Sequence, residues 1–378
     1  MQKFRILLAA SAAALAFQAA PALAERGSDG ELKILFWQAV STMNPYLSGG
    51  TKEVYSASMV LEPLARYDET GSLVPMLAAE IPTVENGGVA ADLKSITWKL
   101  RPDLKWSDGT PVTADDAIFT WKYCTAPDGG CAQAAYYEGV TNVEAVDAST
   151  IKVSFAEAKP YPYSAFVGAQ SPIIQAAQFK DCMGAKAPEC TAANFGPIGT
   201  GPFVVKEFKP NDVITFEANQ NYRDPAKPAF ATVTLKGGGD AASAARAVLE
   251  TGEFDYAWNM QVEPEILATM VAAGKGKLVT AFGTQVERID VNAFAVDPSL
   301  GDKRSTKEAG PHPALKDPAV RRALSIAIDR DIIDEAGYGE AGQPTCNILP
   351  APDIYKSTDV DWCLKQDIEG ANKLLDDA

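Results

Sequence analysis

Trp98-Lys99-Leu100-Arg101-Pro102-Asp103-Leu104-Lys105-Trp106-Ser107-Asp108-Gly109-Thr110-Pro111-Val112-Thr113-Ala114-Asp115-Asp116 is the stretch whose reading decides the fold. Trp98, Leu100 and Leu104 alternate in part with Lys99, Arg101 and Lys105, the two-residue rhythm of a half-buried strand. Asp108-Gly109 is a strong turn dipeptide, because glycine takes the positive φ that a tight turn needs. Thr113 precedes Asp116 by three residues, the spacing of a capping box, and Asp115 and Asp116 put negative charge where the free N–H groups of a helix start attract it. The stretch therefore reads as strand, hairpin turn and helix start, which alone is ordinary supersecondary structure.

The same reading extends outward to a mixture of short strands and helices. Residues 32–40 read as a buried strand, broken by the turn Ser41-Thr42-Met43-Asn44-Pro45-Tyr46, and residues 53–64 as a helix. Residues 95–100, 150–155, 201–208, 213–218 and 232–236 read as strands separated by Pro, Gly and Asn. Asp240 is placed to cap a helix running through Leu249 and Glu250, with Ala244, Val248 and Leu249 on one side and Gly252 past its end. Asp317-Pro318 opens another helix as N-cap and first-turn proline, with Val320, Leu324, Ala327 and Ile328 as its apolar stripe. The fold class is α/β.

Composition bounds what such a chain can be. With 47% hydrophobic and 22% charged residues it is globular, and 378 residues exceed what one core usually spans, so two or more lobes are expected. The formal net charge is −15 at pH 7, with no clustered Lys/Arg stripe, which argues against nucleic acid as a partner because phosphate binding needs a basic footprint. Acidity of this size speaks mainly to solubility.

Lys3 and Arg5 precede the apolar run from Ile6 to Phe17, and Ala22-Leu23-Ala24 has the small-x-small form of a cleavage site. Residues 1–24 read as a secretory signal peptide, too short in its apolar core to span a bilayer, and no later apolar stretch reaches about 20 residues. No cysteine follows the cleavage site to carry an acyl chain, so release into a Gram-negative periplasm is expected. In that oxidising setting the six cysteines fall into three sequence-local pairs, Cys124 with Cys131, Cys182 with Cys190 and Cys346 with Cys363. Three local disulfides are expected on proximity, since the count alone leaves other connectivities open. Zinc is the competing use of cysteine, but there is no Cys-x-x-Cys and the single histidine, His312, lies between Pro311 and Pro313. No metal and no cofactor are expected.

Several further blocks stand in a consistent order around the decisive stretch. They are Asn44-Pro45-Tyr46 and Tyr55, Leu61-Glu62-Pro63-Leu64-Ala65-Arg66-Tyr67, Leu73-Val74-Pro75-Met76-Leu77-Ala78, Gly199-Thr200-Gly201-Pro202-Phe203, Asn219-Gln220-Asn221-Tyr222, Gly252-Glu253-Phe254-Asp255, and the run from Asp317-Pro318 to Asp329-Arg330. In this order they resemble the periplasmic solute-binding proteins that serve peptide, nickel and opine ABC importers, the extracellular solute-binding family 5. The resemblance spans nearly all of the chain after residue 24. It implies the two-lobed periplasmic binding protein fold with an extra subdomain in the first lobe. By that pattern residues 25–57 and 197–285 form the first-lobe core, 58–196 the inserted subdomain and 286–378 the start of a second lobe. Relatives continue well beyond the point that Gly370-Ala371-Asn372-Lys373-Leu374-Leu375 resembles, so the C-terminal part of the second lobe is expected to be missing from this chain.

The family pattern also implies a function and a site. A small solute, a peptide by preference, would be captured between the lobes and delivered to a membrane permease by a monomeric protein. Opine-like conjugates, oligosaccharides and a nickel chelate are the alternatives, nickel the least favoured because one histidine offers few nitrogen ligands. Matched segments put Met43, Asn44, Trp258, Asn259, Met260, Gln261 and Asn292 on the first-lobe side of the cleft. Trp258 could stack on a planar or apolar group, while Asn259 and Gln261 could satisfy polar atoms stripped of water. The distant rival is an exported hydrolase. His312 would have to serve its triad, no Gly-x-Ser-x-Gly elbow occurs, and the glycines from Gly196 to Gly201 lack the Gly-Lys-Ser/Thr ending of a phosphate loop. No catalytic residue is assigned.

Overall fold

The computed structural model describes residues 25–351 and 353–378, and in it the decisive stretch forms the three elements its residues dictate. Gly109 sits at φ 87°, and Trp106 N donates to Thr110 O across the turn at 2.9 Å. Thr113 N then donates to the Asp116 carboxylate at 3.0 Å, so the capping box forms. Asp116 is 6% exposed and does more than cap. It also accepts from the Trp106 indole N–H at 3.3 Å and from Ala176 N at 2.9 Å, which ties turn and helix to a later segment. Burial pushes its carboxyl up from the ordinary aspartate range, against the pull of these donors. The expected signal peptide, residues 1–24, lies outside the described residues.

In chain order, β1 (Glu31–Phe36) is followed by α1 (Thr51–Ala57), then by β2 (Ala65–Tyr67), β3 (Leu73–Pro75) and β4 (Ser95–Lys99). Next come α2 (Ala114–Thr125), β5 (Val140–Asp147), β6 (Thr150–Phe155) and the short helices α3 (Ala176–Phe179) and α4 (Thr191–Phe195). β7 (Phe203–Lys209), β8 (Val213–Ala218), β9 (Thr232–Gly237), α5 (Ala241–Leu249), β10 (Tyr256–Trp258) and α6 (Pro264–Val271) continue the chain. α7 (Pro318–Ile326), α8 (Arg330–Gly337) and α9 (Ile368–Asp377) close it.

Two elements stop sooner than their apolar runs suggest, and tertiary contacts explain both. The first strand ends at Phe36, not Val40, because the chain leaves the sheet and crosses the end of β9 at Gly237, where any Cβ would collide with Ala39. The first helix ends at Ala57, not Leu64. The carbonyls of Val60 and Met59 are taken by Gly201 N at 2.8 Å and Phe203 N at 3.2 Å, and Pro63 disfavours helix at the residue before it. A Cβ on Gly199 would strike the Val60 carbonyl, so these glycines serve close backbone crossing.

The strands form a five-stranded sheet in the order β10-β1-β9-β8-β7, a ribbon of β2 and β3, and a three-stranded sheet in the order β4-β6-β5. β1 runs parallel to β9 and β10, while β8 is antiparallel to β7 and β9. One hydrophobic core gathers Phe36, Val40, Met43, Val60, Phe216 and Leu235 under the five-stranded sheet. A second, larger one lies between residues 46 and 193 and includes Trp98, Trp106, Phe166 and Phe179, each at most 1% exposed. A bidentate ion pair ties the segment after α1 to the segment after β8, with Arg223 Nη atoms 2.6 and 2.9 Å from the Glu62 carboxylate oxygens.

All three expected disulfides form, with Cα–Cα distances of 5.1 Å for Cys124–Cys131, 5.8 Å for Cys182–Cys190 and 6.0 Å for Cys346–Cys363. Both predicted helix caps also form, Asp240 accepting from Ser243 N and Asp317 from Ala319 N, each at 2.8 Å. The apolar stripe expected on α7 needs correction. Ala323 and Ile326 are its buried residues, packed on Ala371 of α9, whereas Leu324 is 45% exposed. The partner helix covers only a narrow face, so the stripe is shifted around the helix. Among the described residues no helix is long and apolar enough to cross a membrane.

Candidate ligand site at the carboxyl ends of the parallel strands

The three parallel strands end in register, Phe36 standing opposite both Trp258 and Gly237. Ligands of open α/β sheets bind outside the carboxyl ends of parallel strands, because loops diverge there and leave a crevice. Here that end carries an aromatic shelf. The Trp258 ring lies 4.9 Å from Phe36 and 5.3 Å from Tyr55, the latter edge-on at 71°. Tyr55 projects from α1 and is 45% exposed, while Trp258 is half-buried, so the shelf offers ring surface to solvent.

Local structure explains how these rings are held. β10 is only three residues long, and the chain turns away at once through Asn259, whose φ of 58° is a left-handed conformation that asparagine tolerates better than most residues. Gln261 then follows as an exposed amide. α1 is fixed on its sheet side by Glu53, whose carboxylate accepts from Ser41 N at 3.0 Å and Ser41 Oγ at 2.9 Å and pairs with Lys52. Burial works against that charge, yet the Lys52 and Ser41 donors outweigh it and hold the carboxyl below the usual glutamate range. The Lys52 side chain stays 22% exposed at the rim.

Of the residues expected at the cleft, the structure brings Trp258, Asn259 and Gln261 to this end of the sheet. Met260 turns inward against the core of α5 and α6 that contains Ala245, Leu249, Leu267 and Met270. Met43 and Asn44 are 0% and 1% exposed and offer no surface to a solute in this arrangement. Met43 belongs to the core of the five-stranded sheet. Asn44 accepts from Tyr46 N at 3.0 Å and donates to Asn194 Oδ1 at 2.8 Å and Tyr123 Oη at 3.0 Å. Asn292 is exposed and caps its own turn, accepting from Phe294 N at 2.9 Å. Sequence reasoning missed Phe36 and Tyr55 as shelf residues. Tyr55 was visible only as part of an ordered block, and nothing local says that it meets a tryptophan some two hundred residues away.

Other chemistry is already occupied elsewhere. His312 Nδ1 accepts from Ala314 N at 3.2 Å and Leu315 N at 3.0 Å, which closes its own loop. Among the described residues no group of three or more His, Cys, Asp or Glu side chains converges as metal ligands.

Comparison with known proteins gives this geometry its context. The chain is similar to the nickel-binding periplasmic protein of Escherichia coli (strain K12), 28% identical over 319 residues that cover 83% of this chain and 54% of that protein. It is also 28% identical to the periplasmic oligopeptide-binding protein OppA of Salmonella typhimurium over 368 residues, covering 90% and 61% of the two chains. The chain thus spans little more than half the length of the curated relatives it matches. Among solved structures, the ABC transporter substrate-binding protein CtaP of Listeria monocytogenes has the same fold, with a TM-score of 0.71 at 24% identity over 93% of this chain and 65% of that one. The family model described as "Bacterial extracellular solute-binding proteins, family 5 Middle" matches residues 72–378, and members of this family are substrate-binding proteins. The chain belongs to the bacterial extracellular solute-binding proteins of family 5.

Proposed function

We propose that the chain captures a peptide-like solute outside the cytoplasm and presents it to the permease of an ABC importer. The observation that carries this reading is the half-exposed Trp258–Tyr55 shelf at the in-register ends of β1, β9 and β10. Aromatic faces flanked by the amides of Asn259 and Gln261 suit a ligand of alternating apolar and amide character, which a peptide is. The oligopeptide-binding relative supports that choice by its name, and the nickel-binding relative keeps a metal chelate as the alternative. We read the chain as a binder with no catalytic role of its own, since its one imidazole accepts from Ala314 N and Leu315 N and closes its own loop.

The lobe arrangement is part of the same proposal. The five-stranded sheet draws on residues 31–36 and 203–258, which supports a first-lobe core of 25–57 and 197–285; the ribbon, the three-stranded sheet and the larger core support an inserted subdomain of 58–196. Residues from 286 onward would begin the opposing lobe, and capture would be a population shift towards a closed form touched by ligand on both walls. A micromolar affinity corresponds to about −8 kcal/mol, which the shelf must reach together with an opposing wall.

The test is calorimetric titration of the natural full-length protein, and of its Trp258→Ala variant, with alanine di-, tri- and pentapeptides and with Ni2+. The expected result is peptide binding weakened roughly tenfold or more by the substitution, with the melting temperature retained. Nickel binding without peptide binding, or peptide affinity indifferent to Trp258, would overturn the reading.

A further inference from the structure

We infer that the two disulfide-closed loops of the 58–196 region position the aromatic shelf, acting through Asn44 and its neighbours on helix α1. The inference rests on the reading of Trp258 and Tyr55 as the ligand shelf. α1 has seven residues, too few to be stable or to hold an orientation by itself, so the direction of Tyr55 is set by the Glu53–Ser41 bonds and by what grips the helix at either end. Beyond its C-terminal end the grip is the crossing with Gly201 and Phe203. Before its N-terminal end it is the segment 43–48, which Tyr46 Oη ties to Tyr137 Oη and Pro172 O, while its other long-range hydrogen bonds run to residues beside disulfide cysteines or within four positions of one.

Met43 N donates to Asn194 O at 2.9 Å, and Asn44 Nδ2 donates to Asn194 Oδ1 at 2.8 Å and Tyr123 Oη at 3.0 Å. Ala132 N donates to Tyr46 O at 2.8 Å, and Gln133 Nε2 reaches Pro45 O at 3.2 Å and Ser48 O at 3.1 Å. Tyr123 is bonded to Cys124, and Ala132 and Gln133 follow Cys131 directly, so the Cys124–Cys131 bridge clamps both sides of the grip. Asn194 N donates to Cys190 O at 2.9 Å, which ties the third partner to the Cys182–Cys190 bridge. Asn44, Gln133, Tyr46 and Asn194 are all buried, and in a dry site each of these bonds constrains geometry tightly. Loops closed across sequence separations of only 7 and 8 have little freedom to let the grip slide. Asn44 is thereby a positioning residue, holding the segment that leads directly into α1, from which Tyr55 sets its ring edge against Trp258.

The experiment uses the whole protein labelled with 5-fluorotryptophan, the Trp258 resonance being assigned from Trp258→Phe, together with amide hydrogen exchange. In the double variant Cys124→Ser/Cys131→Ser, exchange across residues 46–57 should quicken by roughly tenfold or more and the Trp258 fluorine resonance should shift, while β8 and β9 keep their protection. Gln133→Met keeps every cysteine and the side-chain length but removes both amide bonds, and should give a smaller change of the same pattern even if the double variant fails to fold. Quickened exchange confined to residues 124–133 with an unmoved Trp258 resonance in either variant would overturn the inference. Neither readout needs ligand, so unchanged peptide affinity in Trp258→Ala would sink the shelf reading alone and leave the coupling standing.

Discussion

Residues 58–196 and 286–378 are built with the same local devices and reach opposite outcomes in burial. Both contain closed disulfides, and both start helices on well-formed caps, Thr113 in the first region and Asp317, Asp329 and Asp367 in the second. Yet the first region buries Trp98, Trp106, Phe166 and Ile151 almost completely, whereas the second leaves Ile289 at 77%, Ile332 at 63% and Ile348 at 79% exposure. Its core reduces to Ala323, Ile326 and Ala371 with two partly buried neighbours. Caps, turns and short disulfide loops are satisfied within a few residues of chain, but a core needs partners from far away. The first region has them, as β4 pairs with β6 across some fifty residues.

The largest expected difference lies in core truncation. Trp98→Ala should cost about 3 to 5 kcal/mol by cavity formation, while Ile348→Ala should change stability by no more than about 0.5 kcal/mol, as for an exposed site. Urea unfolding monitored on both variants checks this. Equal losses would mean that the second region folds on to a core not visible in its exposures.

A smaller effect is expected at the Glu62–Arg223 ion pair. Glu62 has a side chain only 3% exposed and binds Arg223, 25% exposed, through both carboxylate oxygens. Glu62→Gln breaks the charge pairing and strands a partly buried guanidinium, which should cost about 2 to 3 kcal/mol, below the range for fully buried pairs because Arg223 retains some solvent. Double-mutant cycles with Arg223→Met should recover a coupling of more than about 1 kcal/mol. Additive losses would show that the pair contributes no coupling between residues 62 and 223.

These contrasts also show what was legible in the amino-acid sequence. The turn at Asp108-Gly109, the caps at Thr113, Asp240 and Asp317, and the disulfide pairs are local chemistry, and each stands where its residues said. The ends of β1 and α1 were misjudged because the competing partners, Gly237 and Gly201, are distant in the chain. The site divides in the same way. Trp258 and Asn259 follow a recognisable block and reach the end of the sheet, whereas Asn44 looked like a cleft residue and is a buried relay. An asparagine in a turn gives the same sequence signal whether its amide meets water, ligand or Asn194.

The smallest expected effect is in acid, and it separates two carboxylates within the better-packed region. Asp147 accepts from Ser149 N at 2.8 Å, Ser149 Oγ at 2.9 Å and Thr150 Oγ1 at 2.9 Å, and these bonds hold its carboxyl below the ordinary aspartate range. A depressed folded value means that its stabilisation is present above the unfolded value near 4 and is lost as pH falls through the folded one. Asp116 has the opposite sign. Burial raises its folded value, so its charged form weighs against folding above that value, and protonation on acidification relieves the burden. On acidification the relief at Asp116 comes above the unfolded value near 4 and the loss at Asp147 below it, so the first partly offsets the parent's loss of stability. Asp116→Asn removes the relief and should steepen that loss, read as urea midpoints at successive pH values. A pH profile for Asp116→Asn that parallels the parent's would mean that the bonds from Thr113, Trp106 and Ala176 fully offset the burial penalty, and a shallower one that they exceed it.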